Sequence, residues 1–311
     1  MIEPVALRID AATRYCAVFG CPVRHSASPA MHNAGFAALG VDWRYLAFEV
    51  HPDDLPAALR GARAMGLIGL NLTLPHKLAA LGLMDVLDES ARQWAGVNTV
   101  RFEGRDAGGP WRPLVEWTDT PREVRAHGFN TDAGAMARAL REELGLSLAG
   151  ASILLLGAGG AGRTAALKLA SEKAARLFLV NRTRSKAEAL AREIQARYPH
   201  TQAAIGYPSG PVELVLNATS LGLKPGEPSP LDEQQFCLRR AAAVYDMIYR
   251  PAETELLRSA RVAGCRVANG LGMLLYQGAK ALELWTGRAA PTAIMRQALE
   301  ENVYGARHAG Y

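Results

Sequence analysis

From Ser152 to Arg163 the chain reads Ser-Ile-Leu-Leu-Leu-Gly-Ala-Gly-Gly-Ala-Gly-Arg, and the rest of the molecule can be placed around this run. Ile153 to Leu156 form the short apolar block that fills a buried parallel strand. Gly157, Gly159 and Gly162 then match the G-x-G-x-x-G spacing of a dinucleotide loop. In such a loop the first glycine makes the tight turn and the second lets backbone N–H groups approach a pyrophosphate. The third lets the following helix pack close to the strand. The spacing predicts that helix from about Ala161 to Leu169, its positive dipole end toward the phosphates. A second apolar block, Leu177 to Val180, sits where the next strand of the unit belongs. A purely structural glycine turn is the plain alternative.

The end of that second block indicates which dinucleotide. An NAD-selective site places Asp or Glu there to accept from the ribose 2′-OH. This chain reads Asn181-Arg-Thr-Arg-Ser-Lys186 and has no carboxylate until Glu188. Arginine can hold a 2′-phosphate with two parallel charged hydrogen bonds, whereas a carboxylate would repel it. The pattern predicts NADP. Without a ligand, Arg182, Arg184 and Lys186 would be a solvated helix start, an unfavourable place for three cations.

With 311 residues the chain is long enough for about two domains. It is 49% hydrophobic and 21% charged, in the range of soluble globular proteins. No apolar run is long enough to span a bilayer. Met1 to Arg14 carries Glu3 and Asp10 and lacks a signal-peptide core, so export is not expected. Cys16, Cys21, Cys237 and Cys265 form no C-x-x-C pair, which suggests free thiols in the cytoplasm and no metal site. The net charge of +5 comes from scattered basic residues without a long basic block, so small anionic ligands are expected rather than nucleic acid. Only six of the 35 basic residues are lysines, which makes a lysine at a suspected site more telling.

Along the chain, Tyr15 to Phe19 reads as a first strand. Ser28 before Pro29 then reads as a helix N-cap, while Ser26 has no such explanation. Ile68 to Leu74 reads as a strand with Asn71 and Thr73 on one face, a polar pair that needs a partner. Lys77 falls in the first turn of the next helix, the wrong end for a cation, which points to a function, although a lone lysine there is ordinarily a solvated surface residue. Asn98 lies at a helix-to-strand junction and suits a turn as well as a ligand. From Glu103 to His127 periodicity is lost and the sequence reads as a long surface excursion. Asp132 opens an amphipathic helix to Leu144, as an N-cap or as a carboxylate aimed into a cleft. Two further strands, Leu214 to Asn217 and Ala243 to Tyr249, place Asn217 to Ser220 and Met247 to Tyr249 at the carboxyl ends where open parallel sheets bind ligands. Gln277 lies on a closing helix, where an exposed helix-former is the plain alternative.

Several stretches in this order resemble the shikimate dehydrogenase family, from Val18 to Trp285. They are Phe19-Gly20 with His25-Ser-Ala-Ser-Pro29, Asn71-Leu-Thr-Leu-Pro-His-Lys77, Gly96-Val-Asn-Thr99, Gly128-Phe-Asn-Thr-Asp132, the glycine loop, Asn181-Arg-Thr183, Asn217-Ala-Thr-Ser220, Tyr245-Asp-Met-Ile-Tyr249 and Gly270-Leu-Gly-Met273. The resemblance implies an α/β protein with an N-terminal α/β substrate domain plus a Rossmann-type NADP-binding domain, separated by a cleft. Residues 1–132 plus 271–311 would form the first and 133–270 the second. It implies reversible hydride transfer between NADPH and 3-dehydroshikimate in the shikimate pathway. Carried over by position, Lys77 and Asp132 would be the catalytic pair, and Ser26, Ser28, Thr73, Asn98, Asp132, Tyr249 and Gln277 would bind substrate. Gly157, Ala158, Gly159, Gly160, Ala161, Asn181, Arg182, Thr183, Arg184, Lys186, Met247 and Gly270 would bind NADP.

Chemistry agrees with those roles. Hydride transfer at an alcohol carbon needs a group that takes the hydroxyl proton and stabilises the developing alkoxide. Two rivals remain open, a quinate/shikimate dehydrogenase with broader acid or cofactor use and a non-catalytic NADP-binding regulator. The active form is expected to be a monomer or homodimer.

Overall fold

The computed structural model describes residues 9–224 and 226–305. The amino-terminal stretch read as lacking a signal-peptide core thus falls partly outside the described residues. The chain divides into two compact units, 1–131 with 278–311, and 132–277.

The first unit is built on β1 (Arg14–Gly20), α1 (Ser28–Ala38), β2 (Trp43–Glu49), α2 (Leu55–Ala64), β3 (Gly69–Leu72), α3 (His76–Ala79), β4 (Val86–Leu87), α4 (Glu89–Trp94), β5 (Thr99–Arg105), β6 (Arg112–Pro113) and β7 (Glu123–Phe129). Its seven-stranded sheet runs β2-β1-β3-β5-β7-β4, with β6 beside β5. Strand β1 pairs in parallel with β2 and β3, whereas β5 pairs antiparallel with β3 and β7.

The surface excursion expected over 103–127 is therefore confined to 106–122, and the two ends of that stretch are strand. Thr99 to Arg105 and Glu123 to Phe129 pair residue for residue in mid-sheet, and Phe102 and Ala126 are buried. The segment between them carries the short β6, and there Leu114 is buried and its carbonyl accepts from Arg14 Nη2 at 2.7 Å. The strand was hidden because its charges answer one another across the ladder. Buried Glu103 takes Arg125 Nε at 2.8 Å, lies 3.0 Å from His127 Nδ1, and also pairs with Arg101. Burial alone would raise the Glu103 carboxyl, but His127, Arg101 and Arg125 outweigh it and hold the pKa at about 2.

The second unit comprises α5 (Asp132–Leu144), β8 (Ser152–Leu156), α6 (Gly160–Ser171), β9 (Arg176–Val180), α7 (Arg184–Arg197), β10 (Gln202–Ile205), β11 (Val212–Asn217), β12 (Ala241–Asp246), α8 (Glu255–Val262) and β13 (Arg266–Asn269), then the start of α9 (Leu271–Thr286). Its six strands are all parallel in the order β10-β9-β8-β11-β12-β13. Counted from β8 this is 3-2-1-4-5-6, the doubly wound order of dinucleotide-binding sheets. Strand β8 is buried along its whole length, as its apolar run requires.

The end of α9 and α10 (Thr292–Tyr304) return to the first unit. Trp285 is fully buried there and donates from Nε1 to the Val100 carbonyl at 2.9 Å. It lies so close over Gly69 that a Cβ at that position would sit 2.0 Å from the indole nitrogen.

Candidate active site

In the first unit five predicted residues gather at one end of the sheet. Ser26 and Ser28 follow β1, Thr73 and Lys77 follow β3, and Asn98 precedes β5, whose antiparallel direction brings its start beside the end of β3. Backbone bonds hold these segments together. Thr73 N donates to Phe19 O at 3.0 Å, Cys21 N to Leu74 O at 3.0 Å, and Val97 N to Lys77 O at 2.8 Å. The last of these sets Lys77 next to Asn98. Strand β3 ends at Leu72, and Thr73 continues its bonding to β1 by the same donation to Phe19 O.

Ser28 does not take the N-cap role expected of it. Helix α1 begins at Ser28, its N-cap is Ala27, and no side chain caps it. Pro29 lies in the first turn and Ala27 already has helical dihedrals, so the turn forms one residue early. It is the Ser26 hydroxyl that accepts from Ser28 N, at 3.3 Å. Helix α3 has only four residues, which weakens the dipole argument applied to Lys77.

Asn71 finds the partners its polarity demanded. Its Oδ1 accepts from Tyr45 Oη at 2.7 Å, and its Nδ2 donates to Asn98 O at 3.1 Å and Thr99 Oγ1 at 3.0 Å. Asn98 is buried, and its Oδ1 accepts from Thr131 N at 2.8 Å.

In the second unit Asp132 opens α5, Tyr249 follows β12, and Gln277 lies on α9. Gln277 is buried, not an exposed helix-former, and its Nε2 donates to Leu274 O at 2.9 Å. Burial raises the Tyr249 phenol, with Arg250 opposing.

The glycine loop has the packing its spacing implies. Gly157 has φ +105°, and a Cβ on Gly162 would lie 2.0 Å from Gly157 O, so strand, turn and helix close up only without side chains. At Gly159 and Gly160, by contrast, a Cβ would meet nothing within 4 Å. That open side, at the start of α6, is where phosphates can approach backbone N–H groups. One loop N–H is already used, since Ala158 N donates to Asn181 Oδ1 at 2.9 Å while Asn181 Nδ2 donates to Thr183 O at 2.8 Å. Asn181 thus braces the loop.

Arg184 pairs with Glu188 at 2.8 Å, whereas Arg182 and Lys186 are exposed and make no ion pair among the described residues. Two uncommitted cations and an open helix start suit an adenosine 2′-phosphate and a pyrophosphate. At the crevice end of β11 and β12, Met247 N donates to Asn217 O at 3.0 Å, and a Cβ on Gly270 would sit 2.0 Å from Met247 O. The residues present therefore fit NADP. Among the described residues no group of three or more His, Cys, Asp or Glu could hold a metal ion, and no helix is long and apolar enough to cross a membrane.

Comparison with known proteins agrees with this arrangement. Residues 18–100 match the shikimate dehydrogenase substrate binding domain, 138–205 match shikimate/quinate 5-dehydrogenase, and 270–300 match the shikimate 5′-dehydrogenase C-terminal domain. A protein of Methanopyrus kandleri named shikimate dehydrogenase (NADP(+)) is 41% identical, over 96% of this chain and 99% of its own. A shikimate dehydrogenase crystal structure in complex with NADP+ superposes with a TM-score of 0.82 at 34% identity, covering 96% of this chain and 99% of that one. The Thermus thermophilus shikimate 5-dehydrogenase structure, in complex with NADP(H) and shikimate, gives 0.77 at 35% identity over 93% and 99%. With this identity along nearly its full length, and with the doubly wound sheet and strand-end cluster just described, the chain belongs to the shikimate dehydrogenase family.

Proposed function

We propose that this chain catalyses the reversible, NADP-dependent reduction of 3-dehydroshikimate to shikimate. One observation carries the reading. At the ends of β1, β3 and β5 the first unit gathers three hydroxyls, an amide and an ammonium, the side chains a small polyhydroxy acid calls for. Ser26, Ser28, Thr73 and Asn98, with Tyr249 and Gln277, hold the carboxylate and hydroxyls. Gly157 to Ala161, Asn181 to Lys186, Met247 and Gly270 hold NADP, Asn181 acting through the loop it braces. When bound, the nicotinamide supplies or accepts the hydride.

Lys77 moves the proton. As an ammonium it donates to the oxygen at C3 while negative charge builds there, and as an amine it takes the hydroxyl proton in reverse. Asp132 accepts from the same hydroxyl and orients it. We place the protein in the cytoplasm on the strength of its free thiols, and take its active form to be a monomer or homodimer.

The test follows NADPH or NADH absorbance with shikimate or quinate and either NADP or NAD. The shikimate–NADP pair is expected to be fastest. A faster quinate–NAD pair would favour the broader enzyme, and tight NADP binding without turnover would favour the regulator.

A further inference from the structure

We propose that Tyr45, Asn71, Thr99 and Thr131 form a buried positioning spine that fixes how Ser28 and Asn98 present themselves, an inference resting on the reading of those two as substrate contacts. All four side chains are buried, and they cross the sheet from β2 to the end of β7. At one end the Tyr45 ring is clamped by His32, stacked at 4.2 Å and 11°. Its hydroxyl donates to Asn71 Oδ1 at 2.7 Å and meets the Ser28 side chain. Burial pushes the Tyr45 phenol well above its ordinary range, with the Ser28 contact partly opposing, so it stays a neutral donor.

The direction of each bond follows from groups that cannot reverse. The Asn98 carbonyl can only accept, so the Asn71 atom 3.1 Å away is its nitrogen, and its oxygen faces Tyr45. The Thr131 backbone N–H can only donate, so the Asn98 atom 2.8 Å away is its oxygen. Thr99 Oγ1 donates to the same oxygen at 3.2 Å, and Thr131 Oγ1 accepts from Asn98 Nδ2 at 3.0 Å. The Asn98 amide is therefore held in one of its two flips. Apolar side chains of similar shape would serve a strand interior at no desolvation cost, whereas a buried polar chain is worth keeping when every member is satisfied and its ends have work to do. Preorganised binding groups need such support behind them.

The experiment measures steady-state kinetics of the full-length enzyme for Tyr45→Phe, Thr131→Val and Thr131→Ser, beside Ser28→Ala and Asn98→Ala. Tyr45→Phe and Thr131→Val should each raise KM for shikimate roughly tenfold, the worth of one buried hydrogen bond. KM for NADP should stay unchanged and kcat should change less than KM, a split that general damage to the fold would not produce. Thr131→Ser should restore most of the loss. Tyr45→Phe should add little in a Ser28→Ala background, because the two act through one contact. If Thr131→Val fails to fold, the shape-preserving Tyr45→Phe carries the test. Unchanged KM in Tyr45→Phe and Thr131→Val, with Ser28→Ala and Asn98→Ala impaired, overturns the spine alone. Unchanged KM in those two alanine variants as well overturns the substrate assignment and the spine with it.

Discussion

In the six-stranded sheet Ile153, Leu154, Leu155, Val215 and Val244 are fully buried, and the buried polar residues of its strands, Ser152, Asn217 and Asp246, lie at strand ends. In the seven-stranded sheet buried Asn71 and Glu103 lie within the strands themselves. The parallel sheet offers one kind of interior and exports its chemistry to the loops beyond its carboxyl ends. The mixed sheet brings chemistry inside and must satisfy each group there. Damage to the first kind of site should therefore be local, whereas damage to the second should also cost stability.

The largest effect expected tests the site rather than the sheet. Lys77→Ala should lower kcat by about a thousandfold while substrate affinity, read by calorimetric titration, stays nearly intact. Undiminished turnover would remove the catalytic assignment. Next comes the loop chemistry of the parallel sheet. Arg182→Glu should cut kcat/KM for NADPH by roughly a hundredfold through lost pairing and added repulsion, with the melting temperature unmoved. An equal loss with NADH would show that the 2′-phosphate is not what Arg182 reads.

The smallest effect sharpens the contrast most. Glu103→Gln should destabilise the first unit by about 2 kcal/mol at neutral pH, because it strands cations that now share a buried carboxylate. The Glu103 pKa is depressed on folding, from its ordinary 4.5 to about 2. Its contribution is thus complete above about pH 4.5 and lost as pH falls toward 2. Thermal melts of wild type and variant should converge over that window, and curves that stay parallel would contradict the assignment.

The same contrast explains what could be read from the sequence. Strands β8, β9, β11 and β12 announced themselves as apolar blocks, since a parallel sheet covered on both faces asks for nothing else. Strand β10 escaped because it is short and only half buried. Strand β7 escaped because Glu103 and Arg125 neutralise each other across 22 residues, a pairing no local window contains. Lys77, Asp132 and the glycine loop were visible as motifs. Tyr45 was not, since a tyrosine in a strand is ordinary until its bond to Asn71, 26 positions on, is known. The cap at α1 was misplaced by one residue because Ala27 adopts helical dihedrals that its type does not demand.

Trp285 reaches Val100 across 185 positions of sequence. On the ribosome the nucleotide sheet, complete by Asn269, emerges before this indole does. The amino-terminal core, synthesised first, is thus finished last, and it waits with a vacancy the size of a tryptophan over Gly69. Lesions near the carboxyl terminus should therefore be felt as misfolding and chaperone dependence of the amino-terminal half.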